Sequence, residues 1–147
     1  MALTRDHARR EPLFTLAPGA EAEVRGLIAA LLRDPDVALL LAEDAGTTPV
    51  AAGSDAAAAV GLCIVRVDRA PPIHAETRHT KITDLFVTEP RRRQGVGDAL
   101  VDRAFEWARA RGAPRVEVRV ESGNEGGRAF WRARGFGPFM DVLHRRL

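Results

Sequence analysis

The sequence predicts an α/β fold in which a mixed sheet is flanked by helices, and three observations lead to this prediction. Residues 37–42 form a continuous apolar run, and residues 60–67 and 82–87 are mostly apolar and rich in β-forming residues, all of which is typical of buried strands. Residues 115–121 alternate between valine and charged side chains, which is typical of a strand with one charged face. Between these runs, apolar residues recur at the spacing of amphipathic helices. Strands before, around and after helices indicate the α/β class.

The remaining elements follow from local signals along the chain. One face of a predicted first helix carries Val24, Leu27, Ile28, Leu31 and Leu32. That helix ends at Asp34-Pro35-Asp36, because the residue before a proline avoids the helical region. We further predict a first strand at residues 12–16, loops at 43–59 and 68–80, a short helix at 125–134 and a last strand at 139–147. We expect a single domain over residues 1–147, with residues 1–12 poorly ordered.

The composition is that of one soluble globular domain. The chain has 147 residues, of which 46% are hydrophobic and 29% are charged. Residues 1–11 are too charged for a signal peptide, and no apolar run approaches the length that spans a membrane. We therefore expect a cytoplasmic protein with no membrane partner. The single cysteine, Cys63, lies in an apolar run and is expected to be a buried thiol.

The charge balance argues against a nucleic-acid partner. The isoelectric point is about 9.4 and arginine is abundant, yet the net charge is only +2 and aromatic residues make up 5% of the chain. A nucleic-acid surface normally needs a clear excess of positive charge. We expect no nucleic-acid binding.

The loop at residues 91–97, RRRQGVG, is the most informative stretch, because it joins a predicted strand to a predicted helix. That helix is predicted from the helical spacing of Val96, Leu100, Ala104, Phe105 and Ala108. The first amides of a helix have no partner inside the helix, and the helix dipole places partial positive charge there. Gly95 and Gly97 let an anion approach the backbone, and the arginines add donors. Without a ligand, the same residues would form a basic turn that caps the helix. The strand before and the helix after favour phosphate binding.

Two common phosphate loops fit this stretch less well. A P-loop needs a lysine after its last glycine, and the only lysine, Lys81, precedes the strand. A dinucleotide loop needs a third glycine, and after Gly97 the chain continues to Leu100 without one. Glu117 does lie at about the right distance for a ribose-binding acid, but only one crossover follows the loop.

The stretch resembles the GNAT superfamily of acyl-CoA-dependent N-acetyltransferases. The family signature follows a strand that ends in a valine and a turn with a proline, and here Val87 and Pro90 precede Arg92-x-x-Gly95-x-Gly97. A second signature, an asparagine followed by an aromatic pair and Gly-Phe, is present as Asn124, Phe130-Trp131 and Gly135-Phe136. The resemblance covers residues 20–147 and is closest after residue 82. It implies a mostly antiparallel, twisted sheet whose strands splay apart at an acetyl-CoA site.

The resemblance also implies acetyl-CoA as co-substrate, with no metal. Main-chain amides from Arg92 or Arg93 to Gly97 would hold the pyrophosphate, and Asn124 would hydrogen-bond the pantetheine arm. Asn124 equally fits a local helix N-cap, and the two roles are compatible. The implied cofactor-binding residues are Leu85, Phe86, Val87, Arg92, Arg93, Gln94, Gly95, Val96, Gly97, Asp98 and Asn124.

The implied reaction is direct attack on the thioester by a primary amine of a small molecule or peptide. Because most amines are protonated at neutral pH, a base or a water chain must remove a proton. Asp84, inside the strand beside the site, is the first candidate, and an ion-paired or solvated carboxylate is its alternative role. Glu121 is the second candidate. His74 and His79 are predicted in an exposed loop, and His144 on the surface of the last strand.

The chain departs from the family at the proton donor for the thiolate. Many members carry a tyrosine as the second residue of the aromatic pair, but this chain has no tyrosine and Trp131 stands there. An indole N–H donates a hydrogen bond but is not an acid near neutral pH. The thiolate could leave unprotonated or through water, with Trp131 as a wall of the cofactor slot or a core residue. The departure leaves open a CoA-binding module with little or no catalysis.

The sequence does not identify the acceptor, which the loops at residues 43–59 and 68–80 are expected to select. A homodimer is expected, because a second subunit could cover the charged face of residues 115–121 and the short final strand.

Overall fold

The computed structural model describes residues 15–44 and 59–145. The strands are β1 (Val37–Glu43), β2 (Ala59–Arg69), β3 (Arg78–Val87) and β4 (Val116–Val118), and the helices are α1 (Ala20–Leu31), α2 (Val96–Ala110) and α3 (Glu125–Ala133), with a 3-10 turn at Glu89–Arg91. The predictions for residues 1–12, for most of the first strand and for the centre of the 43–59 loop lie outside the described residues.

The four strands form one sheet in the order β1-β2-β3-β4. β1, β2 and β3 pair antiparallel, whereas β4 joins β3 in parallel after the crossover helix α2. A parallel pair needs such a crossover, because a tight hairpin can only reverse the chain. The predicted mixed, mostly antiparallel sheet with flanking helices is confirmed.

The core lies between one face of the sheet and α2. It is built from the buried residues Cys63, Val65, Ile82, Leu100, Val101, Ala104 and Trp131. Gly61 allows α2 to lie close to β2, since a Cβ at this position would come within 3.0 Å of both the Leu100 and the Val96 side chains. The close contact fixes where the N-terminus of α2 lies relative to the sheet. No helix among the described residues is long and apolar enough to span a membrane.

The β2–β3 hairpin extends further than the sequence predicted. Asp68 pairs with His79 and Arg69 with Arg78, so the predicted 68–80 loop shrinks to residues 70–77. The prediction for His79 was therefore wrong: it lies in β3 and is 7% exposed. His74 is exposed in the remaining loop.

Three predicted strand segments are shorter or absent. The predicted strand at residues 115–121 pairs only over Val116–Val118. Residues 139–145, the described part of the predicted last strand, are not in a strand, and neither are Thr15 and Leu16. His144 is exposed, as expected, but not on a strand. Alternation of side chains indicates an extended chain, whereas strand assignment also needs a hydrogen-bonded neighbour, which sequence alone does not supply.

Candidate functional site

β3 and β4 separate part of the way along the sheet. They pair from Thr80 opposite Val116 to Ile82 opposite Val118, and β3 then continues to Val87 with β2 as its only strand neighbour among the described residues. Backbone groups that lose a strand partner must find another acceptor or donor. We call this opening, between residues 83–87 and residues 119–121, the fork. It is the splayed arrangement that the resemblance implied.

A β-bulge lies directly beside the fork. Ile64 pairs with Asp84 and the next residue, Val65, pairs with Ile82, so Thr83 is the extra residue of β3. Bulges redirect the side chains that follow them. Here the bulge comes one residue past the last β3–β4 pair and determines how Asp84 is presented at the fork.

The fork encloses a cleft of about 80 Å³. It brings together side chains from β3, from the chain after β4 and from α3, and these are Ile82, Thr83, Asp84, Leu85, Val118, Arg119, Val120, Glu121, Asn124 and Trp131. All three predicted catalytic candidates line this cleft, together with two of the predicted cofactor-binding residues. Arg119 was not predicted as a cleft residue, although the alternation of residues 115–121 already placed it on the charged face with Glu121.

Asp84 is half-buried and has no hydrogen bond or ion pair with any described residue. The ion-paired role that the sequence left open is therefore not found in the described part of the chain. Burial, and secondarily the charge of Asp84, raises the pKa of the Cys63 thiol to about 12. A carboxylate without a cation partner at the mouth of a cleft is suited to receive an ammonium group. Glu121 is also half-buried in the cleft.

The loop before α2 carries a continuous row of available backbone amides. Gly95, with φ of 80°, is the N-cap of α2, and Arg93 also has a positive φ of 62°. Among the described residues, no amide from Arg93 to Asp98 donates a hydrogen bond. A Cβ on Gly95 would meet nothing within 4 Å, so the space above the loop is open. Such concave rows of amides at a helix N-terminus bind phosphate-like anions.

Three side chains of the loop make polar contacts within the protein, whereas a fourth does not. Arg92 Nε donates to the Val87 carbonyl at 3.0 Å, and Gln94 Nε2 donates to the Pro90 carbonyl at 2.8 Å. Arg91 forms an ion pair with Asp44. Arg93 is exposed, and its side chain makes no hydrogen bond, ion pair or ring contact with the described residues. Arg92 and Gln94 thus shape the loop, while Arg93 is left to add charge above it.

Asn124 begins α3 and caps it. Its Oδ1 accepts a hydrogen bond from the Gly127 amide at 2.9 Å, which is the local role that the sequence suggested. A Cβ on Gly127 would lie 2.7 Å from Asn124 Nδ2, so the cap requires a glycine there. Because Asn124 also lines the cleft, capping holds its amide in place at the fork.

Trp131 is both a core residue and a wall of the cleft. It is 7% exposed and packs edge-on against Phe130 and Phe136, with ring centroids 5.1 Å and 5.0 Å away. Phe130 in turn lies 3.6 Å from the position that a Cβ on Gly97 would take. The aromatic pair and the Gly-Phe signature thus hold α3 against the N-terminus of α2.

Sequence reasoning missed a charged cluster at the other end of β3. Lys81 Nζ lies 2.5 Å from Asp68 Oδ2, and this hydrogen bond is the main reason that the pKa of Asp68 is lowered. His79 Nε2 lies 3.4 Å from Glu117 Oε1, which also accepts from Arg115 Nη2 at 2.7 Å. The cluster links β2, β3 and β4. The β-branched Thr80 between His79 and Lys81 was a weak strand signal that the loop prediction overlooked.

The described residues contain no group of three or more side chains that could hold a metal ion.

Comparisons with known proteins agree with this geometry. The profile of the Acetyltransferase (GNAT) family matches residues 5–136. A mutant of the BH1408 protein from Bacillus halodurans is 18% identical with a TM-score of 0.75, covering 99% of this chain and 87% of its own. The aminoglycoside 6'-N-acetyltransferase AAC(6')-IG from Acinetobacter haemolyticus is 20% identical with a TM-score of 0.70, covering 90% and 84%.

A third similar structure contains bound CoA. The aminoglycoside N-acetyltransferase AAC(6')-Iy in complex with CoA is 17% identical with a TM-score of 0.66, and the match covers 86% of this chain and 89% of that one. At these identities the structures establish a shared fold. No curated protein matches the chain.

Proposed function

The chain belongs to the Acetyltransferase (GNAT) family, and we propose that it transfers an acetyl group from acetyl-CoA to a primary amine of a small molecule or peptide. The observation that carries this proposal is the row of unpaired amides from Arg93 to Asp98, directly after the strand that forms the fork. A pyrophosphate would fit the row of amides, and an extended arm would fit the neighbouring fork. Acetyl-CoA carries both.

The cofactor would lie across the loop and into the fork. The amides from Arg93 to Asp98 would bind the pyrophosphate, with additional charge from the exposed Arg93. The pantetheine amides would take the place of a strand partner along Leu85, Phe86 and Val87, and the side chain of Asn124 would bond to the arm from the opposite wall.

The acetyl transfer would be a direct displacement. The amine nitrogen bonds to the thioester carbon, the C–S bond breaks, and the sulfur leaves as the CoA thiolate. Backbone amides near Phe86 and Val87 would stabilise the negative charge that develops on the carbonyl oxygen. Asp84, directly or through water, would take the first proton from the ammonium form of the amine, and the second proton, released as the amide forms, would pass to water or to the departing thiolate. Glu121 is the second candidate for this base.

The acceptor is proposed only as an amine. Two of the similar structures are aminoglycoside acetyltransferases, but at their low identity to this chain the likeness does not carry that substrate over. The unpaired carboxylate of Asp84 and the nearby Glu121 favour an acceptor that arrives as a cation. Both small-molecule and peptide amines therefore remain candidate acceptors.

A second candidate function is a CoA-binding module with little catalysis. The observation that favours it is Trp131, which stands where many family members have a proton-donating tyrosine and which is engaged in core packing. The two functions are distinguished by measuring the release of free CoA thiol with a panel of amines. Release above the rate of spontaneous hydrolysis supports the transferase, and its absence at saturating acetyl-CoA supports the binding module.

Cofactor binding itself is tested by thermal unfolding. A ligand that binds only the folded state stabilises it by mass action, so acetyl-CoA at about 100 times its Kd should add about 2.7 kcal/mol and raise Tm by several degrees. NAD and ATP at equal concentration should have much smaller effects. Stabilisation by NAD without stabilisation by acetyl-CoA would overturn the proposal.

A further inference from the structure

The fork contains one cation that the proposed acetyl transfer does not use. Among the described residues that line the cleft, Arg119 is the only arginine or lysine. It directly follows β4 and is exposed, and its side chain makes no hydrogen bond, ion pair or ring contact with a described residue. Asp84, on the other wall of the cleft, also has no partner in the described part of the chain. The cleft therefore holds an anion and a cation that do not pair with one another.

The two unpaired charges lie on the same face of the sheet. Val118 and Val120 both pack against the core on the side of α2, so Arg119 between them faces the other way. Leu85 also packs against that core, so its neighbour Asp84 faces away from α2 as well. A ligand that enters the fork from this face therefore meets Asp84 on one wall and Arg119 on the other.

The neighbouring cations along β3 and β4 already have partners. Lys81 pairs with Asp68, and Arg115 pairs with Glu117. Both pairs belong to the charged cluster beside the part of the sheet where β3 and β4 are still joined. Arg119 comes one residue past the last β3–β4 pair, where the two strands have separated. Its guanidinium is therefore available to a ligand in the fork.

We propose that the acceptor is a zwitterion, an amine that also bears a carboxylate, with Asp84 receiving its ammonium group and Arg119 its carboxylate. A free amino acid is the simplest molecule of this class. This inference rests on the proposed acetyl transfer and narrows its acceptor from any amine to a small amino acid-like molecule. A lysine side chain within a long peptide has no carboxylate of its own at a fixed distance from the amine, so it would not meet both side chains.

A guanidinium suits this task because it presents parallel N–H donors that match the two oxygens of a carboxylate. An acceptor with an amide in place of the carboxylate would lose the charge and one of the two accepting oxygens. The carboxylate takes no part in the bonds that change: the amine nitrogen still bonds to the thioester carbon, and the CoA thiolate still leaves. Arg119 would therefore determine specificity and hold the amine toward Asp84.

Acceptor rates test the proposal. A panel of α-, β- and γ-amino acids is assayed with acetyl-CoA, each beside its amide and beside the amine that lacks the carboxyl group. The amide is a weaker base than the amino acid and the simple amine a stronger one, so a preference over both does not arise from basicity. At least one amino acid should exceed both comparators in kcat/KM by about 10–100-fold, the range expected for charge-assisted hydrogen bonds.

Arg119→Gln should bring the kcat/KM of that amino acid down to about the value of its amide, and Arg119→Glu should make the simple amine the better acceptor. Arg66→Gln is the matched control and should keep the wild-type preference. Arg66 lies on β2 opposite Lys81, on the same face of the sheet. It is also exposed and has no hydrogen bond or ion pair in the described part of the chain, but it does not line the cleft.

Equal kcat/KM for the amino acids and their comparators, or an unchanged preference in Arg119→Gln, would overturn this inference and leave the acetyl transfer standing. Calorimetric titration of the same amino acids into the CoA-bound protein keeps the two proposals apart. Binding that Arg119→Gln weakens and Arg66→Gln does not, in the absence of any acetylation, would contradict only the proposed function. If no amino acid of the panel binds or is acetylated, the zwitterion site is wrong.

Discussion

The two halves of β3 differ in what surrounds them. In the first half, the residues from Thr80 to Ile82 have a paired strand on each side, and His79 and Lys81 belong to the charged cluster with Asp68 and Glu117. The second half, from Thr83 to Val87, keeps only β2 as a strand partner and begins with a bulge. Its carboxylate, Asp84, has no partner among the described residues.

The difference shows how one strand can serve stability at one end and ligand binding at the other. Paired backbone and paired charges have no remaining capacity for a ligand, whereas an unpaired edge must be satisfied by something else. The cluster at the first half also holds β3 and β4 together up to the fork. Variants at the second half should therefore lose ligand binding or activity, and variants at the first half should lose stability.

The largest effect is expected at the loop beside the second half. Gly95→Glu should abolish detectable CoA binding in calorimetric titration, because it places a negative charge where the pyrophosphate would lie. Gly112→Glu is the matched control at the other end of α2. Gly112 has a φ of 67° and Gly95 a φ of 80°, and at both a Cβ would meet nothing within 4 Å. The two variants should lose similar stability, while the control keeps wild-type CoA affinity. Equal CoA affinity in both would refute the phosphate site.

Asp84→Asn should lower kcat/KM by about 10²–10⁴-fold, the usual range for loss of a general base. CoA affinity should hardly change, because the carboxylate is proposed to face the acceptor. The deficit should shrink at high pH, where the free amine becomes abundant without a base. Glu121→Gln serves as the comparison. If Asp84→Asn keeps the wild-type rate and Glu121→Gln loses kcat/KM, Glu121 rather than Asp84 is the base.

The first half of β3 should respond in stability rather than in activity. Asp68→Asn should cost about 1 kcal/mol at pH 7, since it removes a partly exposed charge pair with Lys81. The folded pKa of Asp68 is lowered, so its contribution is complete above the ordinary value of 3.8 and is lost as the pH falls through the folded value. Denaturant unfolding should therefore show the two proteins converging at strongly acid pH.

The control for this experiment is a more exposed ion pair between Asp36, in the turn before β1, and Arg69, at the end of β2. Asp36→Asn breaks the contact with Arg69, whose side chain is 61% exposed, and should cost less than about 0.5 kcal/mol. An equal cost for the two variants would show that the cluster at the first half of β3 is no stronger than a surface ion pair.

The smallest effect on activity is expected at Trp131. If it forms only a wall and part of the core, Trp131→Phe should lower kcat/KM by less than about tenfold, with some loss of Tm from the smaller ring. Trp131→Tyr should equal or exceed the wild-type rate, because it supplies a proton donor. A collapse of activity in Trp131→Phe with intact fold and CoA affinity would show that the indole N–H takes part in the reaction.

The sequence alone was enough to predict α2, the anion-binding loop before it and the helix cap at Asn124. The spacing of Leu100, Ala104 and Ala108 identified α2, and the glycines and arginines before it identified the anion loop. The capping role of Asn124 also needed only its neighbours. These features depend on residues within a few positions of one another, so the linear order carries the information.

The tertiary structure alone decided where β3 and β4 part and which carboxylate is left without a partner. The bulge at Thr83 depends on the register between β2 and β3, and the contact of His79 with Glu117 joins residues far apart in the chain. It also decided that residues 139–145 lie outside the described sheet, although their composition had suggested a strand. Pairing between strands is a property of distant segments brought together, and side-chain alternation does not specify which neighbour, if any, a strand will find.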